Sequence, residues 1–194
     1  MKMIIVLPFN KLKKISCFLT FFLIPFFSCA LYIIIPMDNS QKNHLKAYGI
    51  AYYAIENNIK VDWLLNYNGG SFMLKQHKQI QEECDLRNVS YNIIADVQSS
   101  QILKSISSTE KNQDVIRLEK APKIAIYSPK NKQPWDDAVT LALSYAEIPY
   151  DIIYDEEVLN NILPMYDWLH LHHEDFTGQY GKFYASFKNA SWYI

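Results

Sequence analysis

Three histidines and two carboxylates fall within six consecutive residues, His170-Leu171-His172-His173-Glu174-Asp175, after an apolar run and before a glycine-containing stretch. If 167–172 is a strand, its period of two turns His170 and His172 to one face and sets His173, Glu174 and Asp175 at the strand's end. Two imidazoles beside a carboxylate suit a divalent metal such as zinc, whose catalytic sites take three protein ligands and keep a position for water. The pattern therefore nominates His170, His172, Glu174 and Asp175 as metal ligands of a metal-dependent hydrolase acting on an amide or glycan. The competing reading is a strand end whose polar residues bond to backbone or solvent.

Other segments offer binding rather than bond-breaking chemistry. "PMDNSQKNH" places Asp38 and Ser40 where they can cap a helix and aim amides at an anion. In "NYNGGSF" the residues Asn68, Gly69 and Gly70 let backbone approach a ligand or simply turn the chain, and no G-x-G-x-x-G or G-K-[ST] spacing accompanies them. "NKQPWDD" sets Trp135 beside Asp136 and Asp137 at a helix start, which fits either a sugar-stacking surface or first-turn acids on the helix dipole. "DFTGQYGKFYASF" is aromatic-rich and reads as a ligand-facing loop. There is no G-x-S-x-G elbow and no evident Cys–His pair, so acyl transfer lacks a nucleophile.

Strands and helices must hold these groups in place. "LYIIIP" reads as a buried strand, followed from Asn39 or Ser40 by a helix with Leu45, Tyr48, Ala51, Tyr52, Ile55 and Ile59 at spacings of three and four. "VDWLLNY" is the next strand, 76–88 a second helix and "VSYNIIA" another strand. Residues 96–121 read as a short helix over 98–106 and a linker. "KIAIYSP", a helix carrying Trp135 to Ala146, "YDIIYD", "EEVLNNIL" and "YDWLHLH" continue the alternation. Strands separated by helices imply crossover connections. The expectation is an α/β fold, a doubly wound, mostly parallel, flavodoxin-like or glutamine-amidotransferase-like sheet with helices on both faces. Its halves are 31–95 and 122–194, each built of βαβ units and alike either through duplication or as two examples of the commonest unit in α/β proteins. Ligands in such sheets sit beyond the carboxyl ends of the strands, which predicts Asp38, Asn68, Gly69, Gly70, Trp135 and Asp136 as ligand-binding residues.

Composition bounds the function. With 49% hydrophobic and 14% aromatic residues among 194, the chain can bury a core. Residues 1–30 hold Lys2, Lys11, Lys13 and Lys14, no acid, and the apolar "ISCFLTFFLIPFFSCA" ending in small residues: the layout of a secretory signal peptide. Acylation at Cys29 is the alternative to cleavage after Ala30. Pro25 opposes a stable spanning helix, so no membrane span is expected once the leader is removed. The remaining chain has 15 basic and 20 acidic residues, a net charge of −5, which argues against a nucleic-acid partner. Periplasmic or extracellular partners would be small-molecule, peptide or glycan ligands. Cys84 is the one cysteine left, a buried hydrophobe or a free thiol. The apolar ending "NASWYI" suggests a C-terminally truncated sheet.

Long phrases carry a resemblance. "IPMDNSQKNHLKAYGIAYYAIENNIKVDWLLNYNGGSF", "EKAPKIAIYSPKNKQPWDDAVTLALSYAEIPYDIIYDEEVL" and "YDWLHLHHEDFTGQYGKFYASF" resemble a family of exported bacterial proteins labelled "asparagine synthetase B", over essentially the whole mature chain. The second half resembles the class I glutamine-amidotransferase-like α/β fold. The resemblance implies an exported α/β protein but transfers no functional residue. A glutamine-dependent synthetase begins at a processed amino-terminal cysteine and carries S-G-G-x-D-S, whereas residue 2 is Lys2 and "NGGSF" has no aspartate after its glycines. A class I amidotransferase places its cysteine at a strand-to-helix elbow, which is not the setting of Cys84. "HLHHED" is also similar in part to the H-x-H-x-D-H of metallo-β-lactamase-type hydrolases, with Glu174 in place of Asp and Asp175 in place of His.

Overall fold

The computed structural model describes residues 30–107, 112–128, 138–171 and 176–192. The expected leader lies outside them except for Ala30. Two sheets of different kinds follow one another along the chain. The first is built from β1 (Leu31–Ile35), α1 (His44–Glu56), β2 (Val61–Leu65), β3 (Phe72–Lys75), α2 (Lys78–Leu86), β4 (Asn92–Ala95), α3 (Asp96–Ile106) and β5 (Asp114–Leu118). Its strand order is β4-β1-β3-β2-β5, and every neighbouring pair is antiparallel. Strands β1 to β4 with α1 and α2 form the split βαβ arrangement of ferredoxin-like domains. Strand β5 extends that sheet along β2.

This overturns the doubly wound, mostly parallel sheet. The physical reason lies at residues 66–71. Leu64 N donates to Ser71 O at 2.8 Å, closing a hairpin that returns the chain beside β2 as β3, and a short turn permits only antiparallel pairing. Asn66, Asn68, Gly69 and Gly70 all have positive φ, the conformation such a turn demands. Strand β3 then slides between β1 and β2. The apolar run of β1 reports burial on both faces, which is common in parallel sheets but says nothing of direction. Ile33 and Ile35 face α1 and α2, where Ala47, Ile50, Ala54, Ile80, Cys84, Val61 and Phe72 complete the larger core. Ile34 points the other way, joining Leu64 and Met73 under Ile106 of α3.

Among the described residues, parallel pairing is confined to a second, three-stranded sheet: β6 (Ile124–Tyr127), α4 (Ala138–Ala146), β7 (Asp151–Ile153), α5 (Asp155–Leu159), a 3₁₀ turn at Leu163–Met165, and β8 (Trp168–Leu171). The order is β7-β6-β8, with Ile124 and Ile126 packed on Leu143 of α4. The final helix, α6 (Phe176–Phe187), occupies the stretch expected to be a ligand-facing loop. No helix of the described residues is long and apolar enough to cross a membrane.

Helices α1 and α4 join the two sheets. A Cβ on Gly49 would stand 1.8 Å from the carbonyl oxygen of Ala146, so the backbones touch where no side chain fits. Around this contact Asn43 Nδ2 donates to Tyr145 Oη at 2.9 Å, and Glu147, at φ +60 just past α4, pairs with Lys46 of α1 and with Arg87 at 3.2 Å. The Lys46 hydrogen bond, with the Arg87 charge behind it, holds the Glu147 carboxyl below its ordinary value.

Two outcomes follow from this contact. Alanine is the better helix former by about 1 kcal/mol, yet Gly49→Ala forces the helices apart and is expected to cost ~3 kcal/mol in urea unfolding, as overpacking does. Gly181→Ala, with nothing within 4 Å of the added carbon, is the neutral or stabilising control. Because the folded carboxyl of Glu147 is depressed, its contribution is complete above the ordinary 4.5 and disappears as pH falls through the lower folded value. Glu147→Gln should therefore lower the unfolding midpoint at pH 7 and converge with the native protein in acid.

Candidate functional site

The carboxyl ends of β1 and β2 point the same way, and the loops that follow them meet. Met37 N donates to Asn68 O at 3.0 Å, and a Cβ on Gly69 would lie 2.3 Å from Met37 O. Asp38, Asn68, Gly69 and Gly70 are thus brought together, and the Asp38 carboxylate and the carbonyls of Asn68 and Gly70 are engaged by the chain itself. Ser71 Oγ also donates to Asn68 O at 3.2 Å, and Trp63 Nε1 donates to Gly70 O at 3.0 Å. Asp38 accepts from the Ser40 hydroxyl and from Ser40 N, bonds that lower its pKa. The helix cap expected from Asp38 and Ser40 is instead Asn43, whose side chain accepts from Lys46 N at 3.2 Å. Close passage of the β1 loop accounts for glycine at 69.

Of the proposed metal ligands, His170 stands on β8 opposite Ile126, half-buried. His172, Glu174 and Asp175 lie outside the described residues, as do Trp135 and Asp136. Among the described residues no group of three His, Cys, Asp or Glu is placed to hold a metal ion. Cys84 is fully buried on α2, and burial pushes its thiol up to about 12. A thiol held there is protonated near neutrality and makes a poor nucleophile.

Polar side chains converge in two clefts elsewhere. The first, of about 500 Å³, opens between the end of α1 and the amino ends of β6 and β7. Tyr52, Glu56 and Asn58 form one wall, Tyr150 and Asp151 the other, and the β5–β6 connection at 119–123 the floor. Tyr52 Oη donates to Pro122 O at 3.0 Å, tying wall to floor. The floor's cations are held in place: Lys120 by Asp167, and Lys123 by Asp151 at 3.8 Å and by the Tyr166 ring, 4.6 Å away. Asp167 also accepts from Lys123 N, and these bonds, the Lys120 one foremost, keep its pKa low.

The second cleft, about 460 Å³, lies on the sheet face that α3 partly covers, and Asn58 borders both. Strand alternation puts Tyr32, Asp62, Lys75 and Arg117 on this face. Arg117 grips the buried Asp62 with two bonds, Nε to Oδ1 at 2.7 Å and Nη2 to Oδ2 at 3.0 Å. The carboxylate in turn holds the guanidinium above its usual pKa.

Neither cleft is signalled by a motif. Each takes residues from 96–121, the stretch read as helix and linker, where "DVIRL" is β5 and brings Arg117 beside Asp62. The one legible hint is the alternation of Val115 and Arg117 with Ile116 and Leu118, too short to separate from its polar surroundings.

The thiol's setting is directly testable. At pH 8 a pKa near 12 leaves on the order of one molecule in ten thousand as thiolate. A thiol-specific reagent should modify Cys84 of the folded protein only as fast as it unfolds, and at once in denaturant. Rapid labelling in native buffer would contradict the burial. Comparison of the chain with protein-family models, curated proteins and solved structures yields no match.

Proposed function

We propose that the chain is an exported binding domain that holds a small or extended polar ligand in the cleft between α1 and the amino ends of β6 and β7. The supporting observation is the position of that cleft at the junction of two dissimilar sheets, with walls from both. Ligand sites favour such junctions and fall in this size range. Its lining is suited to a hydroxyl- or amide-rich molecule, such as a short peptide or glycan. Tyr52 and Tyr150 supply flat faces, their hydroxyls bonded to Pro122 O and Ser144 Oγ, Asn58 an amide, and Glu56 a carboxylate with no side-chain hydrogen bond or ion pair among the described residues. Export rests on the leader-like composition of residues 1–30. The family resemblance fits an exported α/β chain and contributes no synthetase chemistry, because neither the terminal cysteine nor the pyrophosphate loop is present.

The test is a ligand screen by backbone amide NMR using amino acids, oligopeptides and oligosaccharides. A hit should shift amides of Glu56, Asn58 and Asp151. Glu56→Gln, an exposed change, should weaken it about tenfold, the loss of one charge-assisted hydrogen bond, without moving the urea midpoint. Hits that bind elsewhere, or equal affinity in the variant, would refute this site. Elemental analysis of the same preparation decides the hydrolase alternative. About one equivalent of zinc, lost with His170→Ala/His172→Ala, would turn the function toward metal-dependent hydrolysis at "HLHHED".

A further inference from the structure

The second cleft differs from the first in its charge. Lysines 60 and 75, Arg117 and His77 line it, and among the described residues Asp62 is the one acidic side chain in the lining. Both oxygens of Asp62 are already bound by Arg117. Lys60 contacts Glu119 at 3.3 Å, but both side chains are more than 60% exposed, so water screens the pair and an incoming anion can displace it. Among the described residues Lys75 and His77 have no side-chain partner, and His77 caps α2 through backbone alone. This cationic concentration stands on a chain whose net charge past residue 30 is −5.

The fold explains why the charges gather there. Strand pairing sets Tyr32 opposite Lys75 and Asp62 opposite Arg117. All four side chains share the face on which Ile34, Leu64 and Met73 are roofed by α3. Leu103 of α3 forms the cleft's edge, and the polar row begins where that roof stops. A row with more cations than anions beside an apolar core is costly unless its heads stay solvated or meet an anion. The lining also includes the Tyr32 hydroxyl and the Asn58 amide, which are neutral donors for the remaining oxygens of a ligand.

We propose that this cleft binds a small multivalent anion, a phosphate- or polycarboxylate-bearing molecule, with Lys75 and His77 as its primary contacts and the Arg117–Asp62 pair as a fixed wall. The site shares only Asn58 with the cleft proposed above, and each has its own variant. The experiment is calorimetric titration of the full-length protein with inorganic pyrophosphate and, separately, citrate at low ionic strength. Amide NMR locates the binding. Saturable binding that shifts Tyr32, Lys75 and His77 is expected, weakening with salt. Lys75→Gln should reduce affinity about tenfold. Lys42→Gln, an exposed lysine beyond the other end of β1, and Glu56→Gln in the first cleft should leave it unchanged. Preference for pyrophosphate assigns phosphate chemistry and preference for citrate assigns carboxylate chemistry. Either supports the site. Absence of saturable binding, or equal weakening by Lys42→Gln through diffuse attraction, would overturn it.

Discussion

The contact between the backbone of α1 at Gly49 and the carbonyl of Ala146 is the constraint on which the rest of the structure depends. Each sheet can satisfy its own backbone hydrogen bonds, but neither alone makes the cleft between them. Bringing two helices into backbone contact removes the space for side chains, so orientation must come from groups at the rim. Asn43, Lys46 and Arg87 supply it, reaching Tyr145 and Glu147 at the end of α4. Glu147, at positive φ just past α4, pairs with Lys46 of α1 and with Arg87 at the end of α2. Packing sets the distance, and a cluster of four charges, Lys46, Glu147, Arg87 and Glu83, sets the angle. Tyr52, one turn of α1 beyond Gly49, then carries the alignment to the floor of the cleft through Pro122.

Much of this was legible in the sequence at the level of segments. The apolar run of β1, the three-and-four spacing of α1 and the Ile-Ala-Ile of β6 each announce their type through composition and period, although the face that α1 buries runs through Ala47, Ile50 and Ala54 while Leu45 and Tyr48 of the expected face are exposed. Strand direction was not legible. A four-residue strand after a glycine-rich turn is invisible to periodicity, and β3 was absorbed into the turn that precedes it. Once β3 is placed between β1 and β2, the whole first sheet changes from parallel to antiparallel. Strand β5 was hidden for a different reason: it is an edge strand in which Asp114 is exposed and Arg117 is committed to Asp62, so its polar residues resemble the linker around it.

The site was legible in the same uneven way. Asp38 and Asn68 to Gly70 do converge, because sheet geometry places loops after β1 and β2 at one end. Their hydrogen bonds are internal, however, and glycine at 69 answers a backbone crossing rather than a ligand. Clefts arise where elements distant in sequence meet, as Glu56 meets Asp151 and Tyr32 meets Arg117. No motif spacing encodes such meetings. Charge decides what each can take: the first cleft balances its cations with aspartates, and the second leaves them in excess.

The central claim is that the two sheets behave as one body across the α1–α4 contact. Native-state amide hydrogen exchange in increasing urea tests it most directly, by comparing Ile33–Ile35 in β1 with Ile124–Ile126 in β6. The account predicts that both sets merge into a single global unfolding isotherm, because opening either sheet breaks the contact that supports the other. Exchange of the β6 amides through a separate opening of lower free energy, while β1 remains protected, would contradict it.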